Sequence, residues 1–205
     1  MKNIEKAITE NAMTYPEYRE MIDKLFSEGK TTGNNHSEAM LNYTKLNIAR
    51  MRRLDKKSRL SETIIDDLKN SNKPLTWLVI TEAWCGDAAQ IIPVLHQMAE
   101  ASDHINLKLI LRDEHLDIMD AFLTNNARSI PVLIVLDATT NEVLRSWGPR
   151  PMEVQQMVMD AKAKAAATDD EEESKIIWGE AKKNSQLWYA KDKTLTIQRE
   201  VIEII

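Results

Sequence analysis

Apolar side chains recur at helical spacing through the first seventy residues of the chain. One such run follows a capping-box pattern at Thr14–Glu17 and stops near Gly29. A longer run begins after Ser37, and a shorter one covers Ser61–Asn70. Residues 1–74 are therefore predicted to form a helical N-terminal extension.

From Leu75 the chain changes to short, strongly apolar runs. The first, LTWLVIT, is continuously apolar or β-branched, as expected for a strand that is covered on both faces. NLKLILRD is predicted as a second strand. PVLIVLD and EVLRSW are separated only by a short polar turn at Ala138–Asn141, which predicts a hairpin.

Segments with apolar residues at helical spacing separate these strands. One covers Asp87–Glu100, one carries Leu116, Met119, Phe122 and Leu123, and one follows Pro151. Residues 75–167 thus have the order β-α-β-α-β-β-α. The helical connection predicts that the first two strands are parallel with a right-handed crossover, and the hairpin makes the sheet mixed. An α/β domain is the predicted fold class.

Residues 168–205 are predicted to be a helical C-terminal extension. Thr168 and Glu171 have capping-box spacing, and one or two amphipathic helices follow. The segment is rich in apolar residues, including Trp178, Trp188 and Tyr189. A solvated tail would not carry this much apolar area, so we expect the extension to pack on the central domain or on a partner.

Charge and composition argue against several classes of function. The net charge of −5 gives no reason to expect binding to nucleic acid or to an anionic membrane. No apolar run approaches the roughly 20 residues of a membrane span, and the charged N-terminus does not resemble a signal peptide. Cys85 is the only cysteine, so an internal disulfide is impossible and a cytoplasmic, thiol-reduced protein is predicted. The four scattered histidines predict neither a metal site nor a cofactor.

The most informative motif is TEAWCGDAAQIIP at Thr81–Pro93. It places Trp84-Cys85-Gly86 between the first strand and the first helix of the central domain. Pro93, Ile130-Pro131 and Gly148 then follow in the order and spacing of the thioredoxin family, which the chain resembles over about residues 75–167. The site is similar to that of bacterial thioredoxin-like proteins with Thr-Glu-x-Trp-Cys-Gly-Asp.

The resemblance implies a thioredoxin fold with Cys85 as the nucleophile. It also implies a substrate groove shaped by a cis Ile130-Pro131 peptide and completed by the residues around the cysteine, Trp84, Gly86, Asp87 and Ala88. Three positions depart from the family pattern. Asp87 replaces a proline, Ala88 replaces the resolving cysteine, and Val79 replaces a buried aspartate.

The position of Cys85 predicts its reactivity. At a helix N-terminus, free backbone N–H groups favour the thiolate, while Asp87 opposes it. We therefore expect an exposed thiol with a pKa below the ordinary ~8.5. Glu82, three residues earlier, is a possible proton acceptor, although a solvated side chain at the strand end is the simpler interpretation.

Two classes of function remain open. One is monothiol exchange with a protein disulfide or a low-molecular-weight thiol in redox homeostasis, in which an outside thiol must release the mixed disulfide. The other is a non-catalytic module that holds an extended peptide or a partner protein beside Pro131. The sequence does not separate a natural Ala88 from an engineered trap, and it leaves the oligomeric state open.

A basic cluster on the second predicted helix offers a further hypothesis. It comprises Arg50, Arg52, Arg53, Lys56, Lys57 and Arg59. A solvated face is the default interpretation. The sharper hypothesis is that Arg50 or Arg53 reaches the Cys85 pocket and stabilises the thiolate or an anionic thiol ligand.

Overall fold

The structure is a computed structural model that describes residues 2–205. The helices in this range are α1 (Lys2–Glu10), α2 (Tyr15–Ser27), α3 (Glu38–Lys57), α4 (Glu62–Asn70), α5 (Ala88–Glu100), α6 (Leu116–Met119), α7 (Met152–Ala166), α8 (Glu171–Asp192) and α9 (Leu195–Ile202). The strands are β1 (Leu75–Thr81), β2 (Ile105–Leu111), β3 (Val132–Asp137) and β4 (Val143–Trp147). None of the described helices is long and apolar enough to cross a membrane.

The four strands form one mixed sheet in the order β2-β1-β3-β4. Strand β1 pairs in parallel with β2 and antiparallel with β3, and β3 pairs antiparallel with β4. This arrangement confirms the predicted parallel first pair, the hairpin and the mixed sheet. All seven residues of β1 are buried, as its continuous apolar pattern predicts for a central strand.

The N-terminal helices also follow the sequence pattern. Thr14 and Glu17 form the predicted capping box, in which the Thr14 N–H donates to Glu17 Oε2 at 2.7 Å. Just before it, Met13 forms an isolated antiparallel bridge with Leu109 on the outer strand β2. This bridge covers part of an otherwise open sheet edge, a role that the helical pattern around it does not predict.

Two local predictions are wrong. The helix expected to carry Leu116 to Leu123 is only the four-residue α6, and Leu123 is 42% exposed. The cap of α8 is Asp170 rather than Thr168, because the Asp170 carboxylate accepts the N–H groups of Glu172 and Glu173. An aspartate directly before the helix is a stronger cap than a threonine two residues further out.

The C-terminal extension packs on the central domain. Tyr189, Ile197 and Val201 belong to the main hydrophobic core. Helix α9 is also held by polar contacts, because the buried Gln198 accepts the Ser61 N–H and donates to the Arg59 carbonyl. The end of the chain thus reaches the link between α3 and α4.

Candidate active site and adjoining cavity

The site lies in the turn between the end of β1 and the start of α5. Asp87 precedes the first helical residue, and the Ala89 N–H donates to the Cys85 carbonyl at 3.2 Å. This places Cys85 beside the helix N-terminus, as the motif predicts. Trp84 and Gly86 are half-buried on either side of it.

Cys85 is buried. The residue is 8% exposed, and Sγ donates to the Ile130 carbonyl at 3.2 Å. Sγ also accepts the Ala88 N–H at 3.5 Å. Burial, followed by the negative charge of Asp87, raises the pKa of Cys85 to about 12. The predicted exposed thiol with a lowered pKa is therefore wrong, because burial outweighs the N–H groups at the helix N-terminus.

Asp87 anchors the surrounding elements. Its carboxylate accepts the Arg150 Nε–H at 2.8 Å, and the two side chains form an ion pair with only 14% and 16% of their surfaces exposed. The hydroxyl of Tyr189, on α8, donates to the other carboxylate oxygen at 3.0 Å. The residue that replaces the family proline thus connects the α5 N-terminus to the loop after β4 and to the C-terminal extension.

Glu82 is not the solvated residue that the simpler interpretation predicts. It is fully buried, and its Oε1 accepts the Asp113 N–H at 2.9 Å. Burial is the main cause that raises the pKa of Glu82 above its ordinary value. The hydrogen bonds of its carboxylate do not reach Cys85, so a role as proton acceptor for that thiol stays a prediction.

A cavity of about 770 Å³ opens beside Cys85. Most of its walls come from the segment Thr32–Asn35 with α3, the turn at Trp84–Asp87, and α8; Arg112, Asp113, Arg150 and Val158 complete them. Helices α3 and α8, which lie before and after the sheet in the sequence, therefore both border the space beside the Trp84–Asp87 turn.

The cavity is cationic although the protein is acidic. Four basic side chains line it, Arg50, Arg112, Arg150 and Lys182, against the two acidic side chains of Asp87 and Asp113. Within residues 2–205, no group of three His, Cys, Asp or Glu side chains is arranged to hold a metal ion. Electrostatics in this space therefore favour an anionic occupant.

The basic cluster on α3 divides into two parts. Arg50 is half-buried and lines the cavity, whereas Arg53 is exposed and does not line it. Arg52 also points outward, where it pairs with Asp23. Of the two arginines proposed to reach the Cys85 pocket, the structure brings only Arg50 to it.

The predicted groove residues separate into two sets. Trp84, Gly86 and Asp87 line the cavity together with Cys85. Ala88, Ile130 and Pro131 are buried, and the Ile130–Pro131 peptide bond is cis. In this conformation, Pro131 offers no exposed surface for an extended peptide.

The sequence motif does not identify several residues that belong to the site. Asn47, Arg150, Gln186 and Tyr189 contribute through contacts between elements far apart in the chain. The one usable signal was the apolar richness of residues 168–205, which indicated packing but not its location.

A family model described as Thioredoxin matches residues 33–166. The chain therefore belongs to this thioredoxin-like family. The match begins before α3, so it includes α3 and α4 together with the sheet and α7. The family and the mixed sheet confirm the predicted thioredoxin-like fold.

Two solved structures share the fold over nearly the whole chain. A protein of unknown function from Pseudomonas aeruginosa, PA1234, is 18% identical with a TM-score of 0.53, over 94% of this chain and 96% of that one. An HIV epitope scaffold is 16% identical, also with a TM-score of 0.53, over 94% and 97% of the two chains. At these identities the likeness concerns the fold alone. No curated protein matches the sequence.

Proposed function

We propose that this thioredoxin-like protein is a binding module whose site is the cavity beside Cys85. The observation that carries this proposal is the state of the thiol, which is buried and donates its hydrogen to the Ile130 carbonyl. Thiol–disulfide exchange needs a thiolate that can reach a disulfide. A neutral thiol in a closed site suits a wall of a binding cavity better than an attacking group.

The occupant that this geometry favours is a small molecule rather than an extended peptide. Ile130 and Pro131 are buried, so they offer little accessible surface beside which an extended peptide could lie. The cavity, in contrast, is a concave space of about 770 Å³, within the ordinary size range of small-molecule sites. Helix α8 forms one wall, so the C-terminal extension is part of the binding site.

Monothiol exchange is the second candidate, and one observation favours it. Cys85 lines the cavity, and the backbone N–H groups of Ala88 and Asp87 oppose the rise of its pKa. In this reaction, the Cys85 thiolate would attack a disulfide R–S–S–R′, form Cys85–S–S–R and release R′–S⁻. An outside thiol would then attack the mixed disulfide and regenerate Cys85, as the absence of a second cysteine requires.

Alkylation of Cys85 tests the two candidates. At pH 7 we expect iodoacetamide to react with the folded protein at least about 100-fold more slowly than with the unfolded chain, because the thiolate fraction is much smaller. Since the pKa of Cys85 is raised to about 12, the rate should still increase with pH above pH 9. The measurement is the labelled fraction over time by mass spectrometry, and the same chain in urea is the control.

Because Cys85 is the only cysteine, every thiol label that mass spectrometry locates reports this one residue. A folded protein that reacts faster than the unfolded chain, with a midpoint below pH ~8.5, would contradict the binding proposal and support monothiol exchange.

A further inference from the structure

We propose that the cavity selects a small organic anion with an aromatic or aliphatic body, and that Arg50 and Gln186 hold the anionic group beside Gly86. This inference rests on the proposed function and specifies the ligand of the same site. The anionic group can be a carboxylate, a sulfonate or a phosphate, since all three accept hydrogen bonds from a guanidinium.

The charges of the cavity support this choice. Arg112 is paired with Asp113, and Arg150 is paired with Asp87. Arg50 and Lys182 also line the cavity, and neither forms an ion pair among residues 2–205. Two positive charges without an anionic partner therefore face the same space.

Arg50 is held in a defined orientation. Its Nη1 donates to Asn47 Oδ1 at 2.8 Å, and the fully buried Asn47 donates in turn to the Ala83 carbonyl at 2.9 Å. This chain connects the guanidinium to the backbone directly before Trp84. Burial lowers the pKa of Arg50, and the charge of Asp87, which is ion-paired with Arg150, opposes that shift only in part. A bound anion would give the guanidinium a carboxylate, sulfonate or phosphate partner of its own.

Gln186, on α8, places a second hydrogen-bond donor next to Gly86. A side chain at Gly86 would begin 3.4 Å from Arg50 Nη1 and 3.6 Å from Gln186 Nε2. Gln186 Oε1 accepts from Gln90 Nε2 at 2.8 Å, which leaves the Gln186 amide N–H groups available as donors. The space over Gly86 is thus bordered by a guanidinium and an amide donor, next to Cys85. The missing side chain keeps this space open for an anionic group.

The mouth of the cavity supplies the apolar contact. Trp178 and Leu46 line it although they are 41% and 52% exposed. Tyr43 lies nearby, with Lys182 Nζ 4.5 Å from the centre of its ring. Exposed aromatic and aliphatic groups near unpaired cations match an amphipathic anion, whose apolar body would cover them while its charge reaches Arg50.

The probe pair for this inference differs only in charge. 1-Anilinonaphthalene-8-sulfonate carries one sulfonate, and N-phenyl-1-naphthylamine has the same aromatic body without it. We expect the sulfonate to bind at least about 10-fold more tightly, as one hydrogen-bonded charge pair allows. Fluorescence titration of the whole protein at low salt measures both dissociation constants.

Two variants on the same helix locate the binding. Arg50→Met keeps an unbranched apolar stem but removes the guanidinium and its charge, so it should weaken sulfonate binding about 10-fold and leave binding of the neutral probe unchanged. Arg53→Met removes an equal charge from the exposed face of α3 and is the matched control. We expect it to bind both probes like the wild type. Circular dichroism and the urea midpoint verify that each variant is folded.

The outcomes separate this inference from the proposed function. If both probes bind equally well, or if Arg50→Met binds the sulfonate as tightly as Arg53→Met does, the selection of an anion is wrong but the binding cavity stands. If neither probe binds the folded wild type, the cavity is not a binding site for small aromatic molecules and both proposals fail.

Discussion

Replacing Asp87 with alanine is expected to lower the free energy of unfolding by about 2–4 kcal/mol, although the residue lies at the edge of the site. The substitution leaves the Arg150 guanidinium without its carboxylate in a site where only 14% of that side chain is exposed. It also removes the acceptor of the Tyr189 hydroxyl. Urea unfolding followed by tryptophan fluorescence measures the loss.

The same variant should make Cys85 more reactive. The negative charge of Asp87 is the second cause of the raised pKa of Cys85, after burial, and Arg150 acts in the opposite direction. Without Asp87 the pKa falls, and alkylation at pH 8 should accelerate. Asp87→Asn isolates the charge, since the amide keeps the volume and can still accept a hydrogen bond from Tyr189.

Asp120 provides a matched control for the ion pair. It pairs with Arg128 at 2.6 Å, but both side chains are about half exposed, at 48% and 47%. Water screens such a pair, so Asp120→Ala should lower the free energy of unfolding far less than Asp87→Ala does. Equal losses for the two alanine variants would contradict the role of Asp87 as an anchor.

Replacing Gly148 with alanine has the second large expected effect, a loss of at least about 3 kcal/mol. Gly148 has φ +128°, a backbone conformation that side-chain-bearing residues rarely adopt. A Cβ at this position would overlap the Pro131 carbonyl oxygen and lie 3.3 Å from Val132 Cα. Both neighbours are backbone atoms at the start of β3, so neither can rotate away.

Gly179 is the matched control for Gly148. It lies inside α8, and a Cβ there would meet no heavy atom within 4 Å. Alanine at this position should stabilise the helix by about 0.5–1 kcal/mol. Urea midpoints of the two variants test the comparison directly. A Gly148→Ala protein as stable as the wild type would show that the turn before Pro149 adapts without strain.

The central fold is predictable from sequence because its signals are local. The continuous apolar run of LTWLVIT predicts a covered strand, and all seven residues of β1 are buried. The short polar turn predicts the β3–β4 hairpin in the same way. α6 is much shorter than predicted, because apolar spacing at Leu116–Leu123 does not reveal where the last turn unwinds.

The closed site is not predictable in this way. Tyr189 contacts Asp87 across 102 positions, and Gln186 contacts Gln90 across 96. The spacing of apolar residues along the chain does not predict contacts between side chains so far apart in the sequence. The motif does place Cys85 at a helix N-terminus, but the direction in which its pKa shifts depends on burial, which the motif does not predict. The sequence therefore predicts the effect of the helix N-terminus, which lowers the pKa of Cys85. It does not predict the larger effect of burial, which raises this pKa and depends on long-range packing.

Asp87 and Tyr189 lie 102 positions apart in the sequence, and this separation has a consequence for the order of events during synthesis. The chain leaves the ribosome from its N-terminus, so β1, Cys85 and the rest of the sheet emerge well before α8. Until α8 is made, Asp87 lacks the Tyr189 hydroxyl that donates to its carboxylate, and the cavity lacks one of its walls. The cavity beside Cys85 is therefore completed only after the last helices have left the ribosome.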